Sequence, residues 1–265
     1  MWTFAWRYNW HTIIQKLTVI RNLGDEQVLI DALSNYEAPT VLGFVNSHAM
    51  NLVVGNTDYY NELLAADVLL RDGTGMAILL RRLGLVPGMN MNGTDFIPKL
   101  LAAFKGRRVA FWGTEEPYLK NAVQRSETAF AVNVVSAHHG FAEVDDYINL
   151  ARELRPELVV LGMGMPKQEA VAARLAASDL PCLIVCGGAV LDFLGGKVPR
   201  APYWVRRLGC EWVFRLMKEP KRLFRRYVLG NPKFLARTLI FRDASLGGTA
   251  KDCPPPAKSS TWTGL

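Results

Sequence analysis

Residues 157–169 read ELVVLGMGMPKQE, and this stretch decides the fold. An apolar run, Leu158 to Leu161, leads into the turn Gly162-Met163-Gly164, after which Pro166, Lys167 and Gln168 open a polar-faced helix. A short apolar run ending in glycine and followed by helix is the signature of a buried parallel strand feeding a crossover. Residues 181–196, PCLIVCGGAVLDFLGG, repeat the pattern. Upstream, TVLGFVN (40–46), ADVLL (66–70) running into Arg71-Asp72-Gly73-Thr74-Gly75, RRVAFWG (107–113) and AVNVVSAHHG (131–140) supply further strands. Helical stretches lie between them at 25–37, after Thr94, at 116–130 and at 144–155. Strands alternating with single helices predict an α/β fold: a Rossmann-like, doubly wound parallel sheet with helices on both faces.

The composition changes after residue 196. Between Lys197 and Arg242 stand thirteen Lys and Arg against two acids, Glu211 and Glu219, a local charge of +11 in a chain of net +7, so the rest carries −4. An anionic partner is therefore expected at one end of the molecule. The expected organisation is an N-terminal arm (1–24), an α/β body (25–196), a basic helical appendage (197–243) and a disordered tail (244–265) poor in core-forming residues. Breaks at Glu219-Pro220 and Gly230-Asn231-Pro232 divide the appendage into two or three amphipathic helices. Trp204, Leu208, Trp212 and Val213 form an apolar stripe that either docks on the body or lies on a membrane surface. No run of 18 apolar residues and no secretory leader is present. Four cysteines without zinc or disulfide spacing indicate a reduced protein, and no metal site is expected.

Ligands of open parallel sheets bind beyond the carboxyl ends of the strands. Asn46, Asp72, Gly113, the loop Gly162–Lys167 and Gly187 all follow candidate strands. Asp72 is the candidate catalytic carboxylate, and a helix cap or Asx-turn is its alternative reading. Thr94 and Asp95 are candidate caps of the next helix as well as candidate ligands. Gly162, Gly164 and Gly187 offer close backbone approach to a phosphate, Lys167 a charge for it, and Gln168 an amide for a base or sugar. Neither a GxGxxG fingerprint nor a Walker A loop is present, so the residues alone reach only a nucleotide-binding α/β protein.

Five stretches carry a more specific resemblance: FVNSHAMNL (44–52), ADVLLRDGTGMAILLRRLG (66–84), NGTDFIPKL (92–100), GMGMPKQE (162–169) and the long segment 187–232. In this order they resemble the WecG/TagA/CpsF glycosyltransferase family. The resemblance implies an inverting transfer of an N-acetylmannosaminyl, N-acetylmannosaminuronyl or glucosyl group from a UDP-sugar to a polyprenyl-diphosphate-linked saccharide. It makes Asp72 the general base, places Asn46 on the sugar and Gln168 in the nucleotide-sugar pocket, and sets Arg200, Arg206, Arg207, Arg215, Arg222 and Arg225 as candidates for the diphosphate or the lipid-linked acceptor. No cofactor is implied, because the UDP-sugar is a substrate. The implied location is peripheral, at the cytoplasmic face of a bacterial inner membrane with an anionic surface as partner; self-association is left open. Three departures stand out: Arg71 where members carry proline or alanine, the loop Met89–Asn92, and opening residues without the usual short N-terminal strand pattern. Arg71 is expected either to depress the pKa of Asp72 or to engage donor phosphate. A basic nucleic-acid-binding protein and an NAD-dependent oxidoreductase are the rival readings, and nucleic acid is not an expected partner.

Overall fold

The computed structural model describes residues 5–241. Seven parallel strands form one sheet among them: β1 (Leu17–Thr18), β2 (Thr40–Val45), β3 (Val68–Arg71), β4 (Arg108–Gly113), β5 (Asn133–His138), β6 (Leu158–Gly162) and β7 (Leu183–Cys186). Their spatial order is β1-β3-β2-β7-β6-β4-β5. Strand side chains alternate between faces, so each strand feeds two cores. Val41, Val45, Ala110 and Trp112 enter one, while Leu42, Phe44, Val109 and Phe111 enter the other. Helices cover both faces, as the doubly wound reading requires.

The opening residues are not a peripheral arm. The helix Ala5–Lys16 presents Trp10, Ile13 and Ile14 at helical spacing, all buried, and β1 pairs with Leu69 and Leu70 of β3. Trp10 has no exposed surface and donates its indole N–H to the Met50 carbonyl at 2.8 Å. Phe234 and Phe241 of the appendage stack on it at 5.4 and 5.5 Å. The two ends of the described chain thus share one hydrophobic core with the sheet.

The appendage comprises the helices Tyr203–Arg207, Glu211–Lys218 and Pro220–Phe224, a π-helical turn Arg225–Leu229, and the helix Gly230–Ile240. The expected break at 230–232 is absent: the helical backbone runs on from Pro220 through the π-helical turn to Ile240, and Pro232 follows closely after that turn. That helix is tied to the body by Arg82, which donates to the Thr238 and Leu239 carbonyls, and by Asn51, which bonds Gly230 and Arg237. Among the described residues, no helix is long and apolar enough to cross a membrane. The expected disordered tail, 244–265, lies outside the described residues.

Candidate active site

β2 is flanked by β3, its successor, and by β7, which comes from far along the chain. The carboxyl ends of these strands and of β6 open into a cleft of about 930 Å³, roofed by the appendage. Cleft volumes of this size suit a ligand larger than a simple metabolite.

The floor is built from Asn46 and Asp72. Asn46 caps the helix Ser47–Leu52, its side-chain oxygen accepting from the backbone N–H of His48 (3.0 Å) and Ala49 (3.1 Å). That cap aims its amide nitrogen outward, and Nδ2 donates to Asp72 Oδ2 at 3.2 Å. Asp72 does not cap the helix that follows it; Gly73 occupies the cap position of Thr74–Arg82 without a side-chain bond. The helix-cap alternative for Asp72 therefore fails, and its carboxylate faces the cleft. Burial pushes its pKa above the ordinary carboxylate value, although the Asn46 bond and the charges of Arg226, Arg215 and Arg71 pull the other way.

The opposite wall is cationic. Arg206, Arg215, Arg222 and Arg226 reach the cleft from the appendage. Of the six arginines expected there, Arg200 instead binds Asp95 at 2.6 Å and the Thr94 carbonyl at 3.1 Å, fastening the appendage to the body. Arg225 is exposed outside the cleft, and Arg207 ends the helix Tyr203–Arg207. Arg226 takes the place expected for Arg225. Arg215 stands on the helix Glu211–Lys218, while Arg222 and Arg226 come from the helical run that begins at Pro220.

Several other expectations are corrected by the geometry. Asp95 lies off the cleft, paired with Arg200 and, at 3.6 Å, with Arg206; the helix Gly93–Ala103 is capped by Asn92. Thr94 does line the cleft. Lys167 is turned away from the cleft, its ammonium on the Ala142 carbonyl at 2.6 Å and over the Tyr147 ring. Gly113 lies outside the cleft; its α-carbon passes so close to β6 that a Cβ would meet the Gly162 carbonyl carbon at 2.4 Å. Gly162, Gly164 and Gly187 line the cleft as expected. Gln168 also lines it, but its polar atoms are fully engaged by neighbouring protein groups. Arg71 neither lines the cleft nor lowers Asp72 below its usual range. Its guanidinium donates to the carbonyls of Pro87, Gly88 and Gly73, pinning the loop whose Asn90 and Asn92 form the cleft edge.

Besides Arg226, the cleft holds His48 and Asp192, which the sequence does not single out. His48 follows Asn46 by two residues, and burial, then Arg226, pushes its imidazole down to about 4, so it is neutral at pH 7. Asp192 accepts from Thr114 Oγ1 at 2.6 Å and faces Arg222 at 3.7 Å. Neither stands directly at a strand end.

The model of the Glycosyl transferase WecG/TagA/CpsF family matches residues 17–245. The chain is 26% identical over 204 residues to the N-acetylglucosaminyldiphosphoundecaprenol N-acetyl-beta-D-mannosaminyltransferase of Bacillus subtilis (strain 168), covering 75% of this chain and 78% of that one. The enzyme of the same name from Bacillus spizizenii is 28% identical over 197 residues, covering 72% and 75%. That from Staphylococcus aureus (strain MW2) is 24% identical over 185 residues, covering 68% and 72%. With a family match spanning the sheet, the carboxylate floor and the arginine wall, the chain belongs to the WecG/TagA/CpsF family of glycosyltransferases.

Proposed function

We propose that the protein transfers an N-acetylmannosamine-type sugar from its UDP derivative to a polyprenyl-diphosphate-linked saccharide, with inversion, in the synthesis of a cell-surface polymer. The observation that carries this reading is a half-buried carboxylate, Asp72, facing four guanidinium groups across one cleft. The acceptor hydroxyl attacks the anomeric carbon as the bond to the UDP oxygen breaks. Its proton passes to Asp72, whose raised pKa makes it a stronger base than an ordinary aspartate. The departing diphosphate gains negative charge, which Arg206, Arg215, Arg222 and Arg226 stabilise more in the transition state than in the ground state. The names of the relatives above support the donor and acceptor classes.

The cationic wall also weighs against nucleic acid as the partner, because four of the appendage's arginines point into an enclosed cleft. The glycine turns at Gly164 and Gly188 form no GxGxxG loop for a dinucleotide. Leu208, Trp212 and Val213 line the cleft mouth, and Trp204 (66% exposed) and Met217 (76%) extend apolar surface beyond it. This apolar surface supports a peripheral stand on a membrane, which we take to be the anionic cytoplasmic face, and from there a lipid-linked acceptor enters the cleft. Incubation with a panel of UDP-sugars and a polyprenyl-diphosphate-GlcNAc acceptor, read by mass spectrometry, should give a product heavier by one N-acetylhexosamine and free UDP. A product with another sugar alone would move the donor assignment, and no product with any UDP-sugar would end it.

A further inference from the structure

Two glycine turns form one wall of the cleft, at Gly164 after β6 and at Gly188 after β7. Both glycines have positive φ, 81° and 59°, and a single side chain spans them. Gln168 Oε1 accepts from the backbone N–H of Gly164 at 3.2 Å and of Gly188 at 3.0 Å. With two donors on its oxygen, the amide nitrogen must face acceptors. It donates to Glu169 Oε1 at 2.9 Å and to the Cys186 carbonyl at 3.4 Å. Gln168 is thereby saturated, and the shorter of its two donor bonds goes to Glu169.

Glu169 is itself buried, with its second oxygen, Oε2, out of contact with any hydrogen-bond partner. Such a group is expensive to keep unless it has a task. We propose that Glu169 is a positioning residue: it fixes the orientation of the Gln168 amide, and through it locks the Gly164 and Gly188 turns into the shape that receives the nucleotide diphosphate. Burial pushes its carboxyl up to about 8, helped by Glu62 and opposed by the Gln168 bond and Arg226, so at pH 7 it is mostly the neutral acid. Tyr59, Glu62, Cys186 and Arg226 are the titratable groups whose charge it feels or influences. A neutral acid still offers its carbonyl oxygen to Gln168 without placing a full charge beneath the wall.

The latch itself follows from the hydrogen bonds alone, whereas its effect on the nucleotide rests on the transferase reading. Glu169→Gln keeps an acceptor oxygen, while Glu169→Leu leaves one Gln168 N–H without a short partner in the interior. The test measures hydrogen exchange at the Gly164 and Gly188 amides together with UDP affinity by calorimetry, with circular dichroism as folding control. Glu169→Leu should speed exchange at both amides by about tenfold or more, the scale of one buried bond lost, and weaken UDP by a similar factor. Glu169→Gln should stay within about threefold of wild type in both, and neither substitution should move the acid limb of the pH–rate profile that reports Asp72. Unchanged exchange in a folded Glu169→Leu protein would overturn the latch. Faster exchange with unchanged UDP affinity would overturn its role in binding. Absence of UDP binding by the wild type would instead count against the transferase reading, with the exchange result still deciding the latch.

Discussion

The side chain of Asn46 spends its oxygen on the start of a helix and its nitrogen on Asp72, 3.2 Å away. A structural cap thus doubles as the support of the proposed base. Because the bond favours the ionised carboxylate, its loss should raise the pKa of Asp72 further above the ordinary value. Asn46→Ala should therefore shift the acid limb of kcat/KM to higher pH, and the lost cap should lower stability by about 1 kcal/mol. A pH–rate series on the variant decides this; an acid limb unmoved or lowered contradicts the support role.

Burial of Asp72 has a consequence for stability. Its folded pKa lies above the unfolded one, so the native state favours the protonated form. Stability from this group is fully present below the unfolded pKa and is lost as pH rises through the folded pKa. Replacement by the neutral isostere removes that penalty, so Asp72→Asn should melt at a higher temperature than wild type at pH 7 and show no advantage at pH 3. Equal melting temperatures at pH 7 would mean that the carboxylate is better solvated than its surroundings indicate.

The arginine wall separates two neighbours. Arg226 reaches the cleft and acts on Asp72, while Arg225 is exposed. Arg226→Gln should reduce kcat/KM by about 10²–10³, the scale for removing one stabiliser of developing charge. Arg225→Gln should stay within about threefold. Steady-state kinetics of the pair would contradict the assignment if the order were reversed.

Trp10 tests the N-terminal helix. Its ring is fully buried between the helix Ser47–Leu52 and the last appendage helix. Trp10→Ala should destabilise the protein by about 3–5 kcal/mol in urea unfolding. A loss below about 1 kcal/mol would restore the view of these residues as a peripheral arm.

The sheet could be read in advance because its strands are continuous apolar runs closed by glycines, a pattern that the buried parallel ladder imposes locally. The positions of Asn46 and Asp72 are legible for the same reason: each directly follows a strand. What the one-dimensional pattern missed is decided by partners distant in the chain. Its place in a glycine turn points Lys167 towards phosphate, yet the Ala142 carbonyl and the Tyr147 ring draw it away. Asp95 reads as a cap or ligand from its neighbours alone, whereas Arg200, 105 residues later, claims it. The aromatic start of the chain shows no strand pattern because β1 spans only two residues, and the helix before it earns its place through Phe234 and Phe241 at the far end.

The central claim is that Asp72 removes the proton of the acceptor hydroxyl. It is tested most directly by single-turnover transfer from a UDP-sugar to a polyprenyl-diphosphate-linked acceptor with Asp72→Asn, alongside calorimetric binding of UDP. The account predicts UDP affinity within about threefold of wild type and a transfer rate lower by about 10²–10⁴, the range for a positioned general base. A folded variant that binds UDP and transfers sugar within about threefold of the wild-type rate would contradict it.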